Sequence, residues 1–296
     1  MRVLAPAKIN LHLRVGPPRD DGFHPLLSWM CTVKLFDTLI FERARPQGLT
    51  LSCDQADLTN DQTNLVCKAA ASLAEWIARP PARADVPGGI TASLYKQIPI
   101  GAGLGGGSSD GARTLLALNH LWNLNLSHDV LSHLAAKLGS DVPFFLSEPS
   151  AICAGRGELV RPTPPPAGHA LLILPNLAMP TPAVYRQFDQ MRLGSALGTE
   201  PPFSDWSKLA AIDLLSKLVN DLEPPAFALR PDLGHIRRQA EQLLSRPVRM
   251  SGSGSTLFTL YDSASEAQAA AERLTSLLPA RLVPAAIAPQ LLDDLA

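Results

Sequence analysis

The sequence predicts a mixed helix and strand protein in two parts. Three observations carry this. The 296 residues suffice for one large or two medium domains. Segments with a two-residue apolar period stand among segments with helical spacing, and two helices follow one another in mid-chain with no strand between them. A proline-rich stretch, Arg161 to Gly168 (RPTPPPAG), is the strongest linker signal and divides the chain into residues 1–160 and 161–296.

Lys8 to Val15 alternates strictly, with Ile9, Leu11, Leu13 and Val15 on one face and Lys8, Asn10, His12 and Arg14 on the other. It reads as a half-buried strand. Asparagine is depleted in strands, so Asn10 beside Lys8 suggests a cleft wall, against the commoner reading of a solvated face. Asp21-Gly22 marks a turn, and Phe23 and His24 follow it. An aromatic beside an imidazole suits a planar ligand ring; a plug beneath the turn is the alternative for Phe23. Residues 26–41 form one or two strands, and Leu49 to Leu51 a short one. The polar loop Asn60–Asn64 precedes an amphipathic helix over Leu65–Ala78, stopped by Pro80-Pro81. Gly88 to Leu94 is a strand, and Lys96 comes just after it.

A helix follows from Ser108 to Trp122, with Ser108, Ser109 and Asp110 as cap types. Ser127 caps another at Asp129–Leu138, with Gly139 as its C′ residue. Asp141 has two readings: cap of a short helix with Pro143 in its first turn, or a catalytic carboxylate. Ser150–Ala154 is a strand and Gly155–Gly157 a turn. Past the linker, Leu171–Leu174 and Thr256–Leu260 are strands, and Ile236–Leu244 and Ala264–Leu278 helices. Thr199 to Phe203 is irregular, and Ser251 to Ser255 (SGSGS) is a second small-residue turn.

The formal net charge is −1 with no basic stripe, which disfavours nucleic acid as a partner. The four cysteines form no CxxC, so neither zinc nor a disulfide framework is expected, and a reducing cytoplasm fits. No apolar run reaches a membrane span. The opening segment is broken by Pro6, Lys8, Asn10 and His12, so no signal-peptide core is expected.

Ile98 to Asp110 (IPIGAGLGGGSSD) is the organising stretch. Gly101, Gly103, Gly105, Gly106 and Gly107 let backbone amides approach a ligand closely, and the stretch runs into a helix N-terminus. Free amides and the helix dipole there make an anion site. GAGLGG matches the dinucleotide pattern GxGxxG, but the acidic residue expected about 20 positions on would fall between two helices and not after a second strand. No lysine with serine or threonine follows the glycines as in a P-loop, and neither GxSxG nor HExxH is present. A phosphate loop with a cationic strand residue and a loop carboxylate suits phosphoryl transfer.

Three ordered stretches then coincide: Pro6-Ala7-Lys8-Ile9-Asn10-Leu11, Pro99 to Ser109, and Ser251 to Ser255. Together they resemble the three motifs of the GHMP kinases, over essentially the whole chain. Asp21-Gly22-Phe23-His24, Leu138 to Pro143, Pro180-Thr181-Pro182 and Asn220 to Glu223 point to the branch that phosphorylates a cytidine diphosphate-linked polyol in isoprenoid precursor synthesis. A mevalonate- or homoserine-type kinase is the alternative. The resemblance implies a two-domain α+β GHMP kinase fold: an N-terminal, ATP-binding domain like domain 2 of ribosomal protein S5, and a ferredoxin-like C-terminal, substrate-side domain. It implies ATP and Mg2+, a small-molecule cytidine diphosphate substrate, and a cytoplasmic monomer or weak homodimer. Lys8 and Asp141 would be catalytic. ATP would sit on Pro99, Gly101, Gly103, Leu104, Gly105, Gly106, Gly107, Ser108 and Ser109, with Asn64, Leu65 and Lys96 around the adenine and Ser108 toward Mg2+. Asn10, Phe23, His24, Asp141, Thr181 and Tyr185 would hold the acceptor. The family more often has Tyr where Phe23 stands, and Phe where Tyr185 stands.

Overall fold

A computed structural model describes residues 1–45, 48–56, 58–79, 88–147 and 149–295. In chain order the elements are β1 Arg2–Val15, β2 Leu26–Ala44, β3 Leu49–Cys53, α1 Leu65–Ala78, β4 Gly89–Tyr95, α2 Gly106–Leu121, α3 His128–Leu138, a 3-10 turn at Pro143–Leu146, β5 Ser150–Gly155 and β6 Leu159–Pro162. Then come β7 His169–Pro175, α4 Thr181–Gln190, α5 Phe203–Trp206, α6 Ala211–Lys217, α7 Glu223–Leu229, α8 Pro231–Leu244, β8 Arg249–Met250, β9 Leu257–Tyr261, α9 Ala264–Leu274 and β10 Ala280–Ala286.

The first sheet is built on β2, which is one continuous strand of 19 residues. It pairs with β1 along one edge; β4 and β5 share the other edge, at opposite ends. β3 runs parallel to β4, and β6 continues from β5. The second sheet has the order β10-β7-β9-β8, all antiparallel. Renumbered within that half, the order is 4-1-3-2 with helices after the first and third strands, the ferredoxin-like arrangement.

One face of the first sheet packs on α1, α2 and α3 through Met30, Leu39, Phe41, Leu73, Leu115 and Leu118. The other meets the second sheet through Ile9, Leu11, Trp29, Leu172 and Phe258. Each such side chain contributes about 1.5–3 kcal/mol relative to exposure. β1 is therefore buried on both faces and not half-buried. The halves are also stitched by backbone: Leu13 N–H donates to the Val219 carbonyl at 2.8 Å, and Asp221 N–H to the Leu13 carbonyl at 3.0 Å.

Local chemistry accounts for the element ends. The Asn64 side chain accepts from Val66 N–H and starts α1. Ser127 does the same for α3 through Val130 N–H. The Pro80-Pro81 stop falls outside the described residues; α1 ends at Ala78 with Arg79 as its C-cap. The cap expected at Ser108–Asp110 is corrected, because α2 starts earlier, at Gly106, on a left-handed Gly105 with no side-chain cap. Gly139 is extended, with φ 169°, and not left-handed.

The strict alternation expected in β1 also fails past Asn10. The register with β2 shifts between Asn10 and His12, leaving Leu11 as the extra residue of a bulge. Lys8 and Asn10 face the inter-domain cleft, but His12 turns to the rings of Phe203 and Trp206, at 5.4 and 5.6 Å. Burial, with Arg14 adding, pushes the His12 imidazole down to about 4.

Candidate active site

A cleft of about 490 Å3 lies between the two halves, floored by the glycine stretch. Gly101, Gly103 and Gly105 have φ of 67°, 78° and 69°, the left-handed region that glycine adopts freely. At Gly103 a side chain would run into the Ser251 carbonyl. At Gly105 it would meet the Phe145 ring at 3.0 Å and Lys8 Cγ at 3.1 Å. The first bond of α2 is from Ser109 N–H to the Gly105 carbonyl. The amides of Gly106, Gly107 and Ser108 thus have no partner within the helix and open on the cleft. With the N-terminal end of a 16-residue helix behind them, they form an anion cradle.

A buried ionic cluster underpins the cradle. Lys96 Nζ donates to Asp110 Oδ2 at 2.7 Å and also to Asp37. The second Asp37 oxygen accepts from the amides of Gln97 and Ile98 at 2.6 and 2.9 Å, fixing the run into the loop. Burial pulls Lys96 down, but the two carboxylates outweigh it and hold the ammonium above its ordinary value. Asp110 is pushed up to about 7 by burial, which Lys96 opposes and Asp37 reinforces. Its charge is thus spent beneath the loop. Lys96, expected at the adenine, contributes to the cleft wall, while its ammonium is tied to these carboxylates.

Across the cleft, Lys8 Nζ stands 3.5 Å from Asp141 Oδ2. It also donates to Asn10 Oδ1 at 2.5 Å, and Asn10 Nδ2 donates to Ser28 Oγ at 2.8 Å. Asp141 makes no capping hydrogen bond to the 3-10 turn that follows, so of its two readings the cap is corrected. The lysine is sealed from solvent at 4% exposure, whereas Asp141 is 33% exposed and open to a ligand. Ser251 joins the second small-residue turn to this wall: its Oγ accepts from Asn10 N–H at 3.1 Å and donates to the Gly103 carbonyl at 2.9 Å. Asn220 Nδ2 holds that turn by donating to the Met250 and Gly252 carbonyls, both at 2.8 Å. Thr181 and Ser253 share a hydroxyl bond of 2.8 Å.

The structure gathers Lys8, Asn10, Asn64, Leu65, Lys96, Pro99, Gly101, Gly103, Gly105, Gly106, Gly107, Ser108, Asp141, Thr181 and Tyr185 around the one cleft. Four expected residues do not line it. Leu104 turns into the apolar core and Ser109 is sealed inside α2. His24 is buried behind the wall, with Nδ1 on the Gly16 carbonyl at 2.8 Å and Nε2 on Asp189 at 3.2 Å. Phe23 is 49% exposed at the rim. The His24 ring lies 5.3 Å from that of Tyr185, which does reach the cleft. Burial, with Asp141 adding, pushes the Tyr185 phenol up to about 12, so it faces any ligand as a neutral donor. Sequence reasoning missed Asp37. Its signal was present: a lone carboxylate in the apolar strand run Leu35-Phe36-Asp37-Thr38-Leu39.

An amide cradle at a helix N-terminus, facing a lysine–aspartate pair across an inter-domain cleft, defines a small-molecule phosphotransferase. The family description "GHMP kinases N terminal domain" matches residues 64–148, and "GHMP kinases C terminal" matches residues 203–280. The chain belongs to the GHMP kinases, and within them it stands with the 4-diphosphocytidyl-2-C-methyl-D-erythritol kinases. The protein of that name from Salinispora arenicola is 39% identical over 285 residues, covering 93% of this chain and 88% of its own. That from Synechococcus sp. strain CC9605 is 37% identical, covering 93% and 92%. A crystal structure of 4-(cytidine 5'-diphospho)-2C-methyl-D-erythritol kinase superposes with a TM-score of 0.80 at 36% identity, over 98% of this chain and 100% of that one. A mevalonate kinase structure, at TM-score 0.69 and 12% identity, shares the fold.

Proposed function

We propose that the protein transfers the γ-phosphoryl group of ATP to a hydroxyl of 4-diphosphocytidyl-2-C-methyl-D-erythritol. The observation that carries this is the Lys8–Asp141 pair set 3.5 Å apart opposite the amide cradle. The phosphates of ATP rest on Gly101 to Ser108, and the adenine lies toward Asn64, Leu65 and Pro99. The acceptor hydroxyl lies against Asp141, which takes its proton as the oxygen attacks phosphorus and the bond to ADP breaks. Lys8 steadies Asp141 and offsets the charge on the three equatorial oxygens in a loose transition state. Asn10 orients Lys8, and Thr181 braces the second small-residue turn. Tyr185 takes the cytosine, with Phe23 beside the cleft and His24 packed behind the Tyr185 ring.

Among the described residues no group of three or more His, Cys, Asp or Glu side chains gathers to hold a metal. Ser108 offers a hydroxyl at the cradle. That sparse set fits Mg2+, which is commonly held by substrate phosphates, water and one or two protein oxygens. Mg2+ would neutralise charge on the phosphates there. All four cysteines are free thiols, as suits the cytoplasm, which we take as the compartment. We also take residues 1–160 as the ATP-binding domain and 161–296 as the substrate-side one.

Purified protein given ATP, Mg2+ and the cytidine diphosphate acceptor should release ADP. Background-level ADP with that acceptor, together with turnover of mevalonate or homoserine, removes the assignment and leaves the superfamily intact.

A further inference from the structure

We propose that Asp293 is a positioning residue that sets the N-terminal end of α2 against β1, acting through Arg113. Its consequence for nucleotide binding rests on the ATP reading given above.

The path of the chain carries it first. Beyond β10 the chain leaves the second sheet and returns to the first, where Ile287 bridges Val33 and Ala288 N–H donates to the Thr32 carbonyl at 2.8 Å. It then straps the edge of β1 that β2 leaves open. Arg2 N–H donates to Asp294 Oδ2 at 2.7 Å, and Asp294 N–H to the Arg2 carbonyl at 3.1 Å. Asp293 reaches further. Its Oδ2 accepts from Leu4 N–H at 2.8 Å and from the Arg113 guanidinium at 2.5 Å. Leu4 belongs to β1, the strand that carries Lys8 and Asn10. Arg113 belongs to α2, about 10 Å along the helix axis from Gly106. One carboxylate oxygen thus joins the strand of Lys8 to the helix of the anion cradle.

Burial and charge carry it second. The Asp293 side chain is sealed from solvent and that of Arg113 is 10% exposed. Arg113 Nε is buried without a hydrogen-bond partner, and among the described residues Asp293 is the carboxylate that pairs with this guanidinium. A buried cation that loses its counter-charge is strongly unfavourable where it stands, so it moves. Arg113 has room to do so. It lines a cavity of about 290 Å3 together with Phe145, whose ring lies against Gly105. Gly105 starts α2 with no side-chain cap to resist a shift. The other buried tie on this helix, Lys96 to Asp110, holds it from beneath the loop and makes no contact with β1. Preorganised donors tolerate displacements of only about 0.5 Å, so a small movement of α2 weakens the cradle.

The test uses the full chain, titrated with ADP and with adenosine well below its melting temperature. Asp293→Asn should weaken ADP binding about tenfold, the scale of a charge-assisted hydrogen bond to phosphate, and leave adenosine within twofold. Arg113→Met should do the same, and Arg113→Lys should recover part of the loss. The double variant Arg113→Met with Asp293→Asn buries no unpaired charge, so it keeps the test open where a single variant unfolds. Because both residues act through one bond, it should bind ADP no worse than the weaker single variant. Asp294→Asn breaks the strap's other tie without touching α2 and should bind ADP as the wild type does. Amide hydrogen exchange of the nucleotide-free protein gives a second readout. Ser109 and Asp110, the first amides bonded within α2, should exchange at least tenfold faster in Asp293→Asn and not in Asp294→Asn. Wild-type ADP binding in the double variant, losses that multiply in it, or an equal loss in Asp294→Asn overturns the inference. If the wild type phosphorylates the acceptor, the proposed function survives that outcome. Faster exchange at Ser109 and Asp110 in Asp293→Asn, in a protein whose wild type does not prefer ADP to adenosine, upholds the tie and removes the ATP reading.

Discussion

Ser251 Oγ donates to the Gly103 carbonyl at 2.9 Å, and this bond ties the second small-residue turn of the C-terminal half to the glycine loop of the N-terminal half. The same oxygen accepts from Asn10 N–H, so one hydroxyl fixes the loop and the strand that carries Lys8. Ser251→Ala leaves a buried amide and a carbonyl without their partner, at a cost of about 1–3 kcal/mol. The melting temperature should fall by several degrees and the KM for ATP should rise. An unchanged ATP KM in Ser251→Ala would show that the cradle holds its shape without this tie.

The loop glycines are not equivalent. Gly101 and Gly103 both have positive φ, but nothing lies within 4 Å of a Cβ at Gly101, whereas one at Gly103 meets the Ser251 carbonyl. Gly101→Ala should therefore cost the left-handed penalty of about 1–2 kcal/mol and leave the second small-residue turn in place. Gly103→Ala should displace the second small-residue turn, with loss of stability and of ATP binding together. Thermal melts and ATP titrations of the two variants check this, and equal effects would contradict it.

The proposed chemistry makes its own demand. Asp141→Asn keeps the shape of the side chain and removes its charge and basicity, and Lys8→Met removes the cation. Each should lower kcat about 10²-fold or more with little change in the KM for ATP. Near-normal turnover in both would mean that positioning on the cradle suffices. Single-turnover measurement with bound ATP separates the chemical step from binding.

Much of this site was legible in the sequence because local composition dictates it. Five glycines running into a helix favour an anion site over a flexible loop, and Asn64 with its apolar spacing marks the start of α1. Long-range pairing was less legible. Nothing in the spacing of Lys8 and Asp141 brings them together; only the motif resemblance did. His12 was misplaced because a bulge at Leu11 reverses the faces of β1 past Asn10. The strand β10 was missed because Ala280 to Ala286 carries Pro284 and three alanines, a poor strand signal. Asp110 stood as an awkward charge beside a phosphate loop, and only the fold shows it neutralised from below by Lys96.

That cluster predicts an opposed pair of pH effects. Asp110 rises from an ordinary 3.8 to about 7, chiefly through burial, so between about 4 and 7 the folded state holds a proton that the unfolded chain has released. Its contribution is complete below the unfolded value and is lost as pH rises through about 7. His12 drops from 6.5 to about 4, again through burial, so over about 4 to 6.5 the unfolded chain holds the extra proton. Its contribution is complete above 6.5 and is lost as pH falls through about 4. The two slopes oppose one another, each limited to about 1.4 kcal/mol per pH unit, so the wild-type stability curve should be nearly flat from pH 4.5 to 6.5. Asp110→Asn should unmask the histidine and make stability rise with pH over that window. His12→Gln should unmask the aspartate and make it fall. Denaturant unfolding of the three proteins at pH 4.5, 5.5 and 6.5 measures both slopes. Parallel curves for all three would place the protons on other groups.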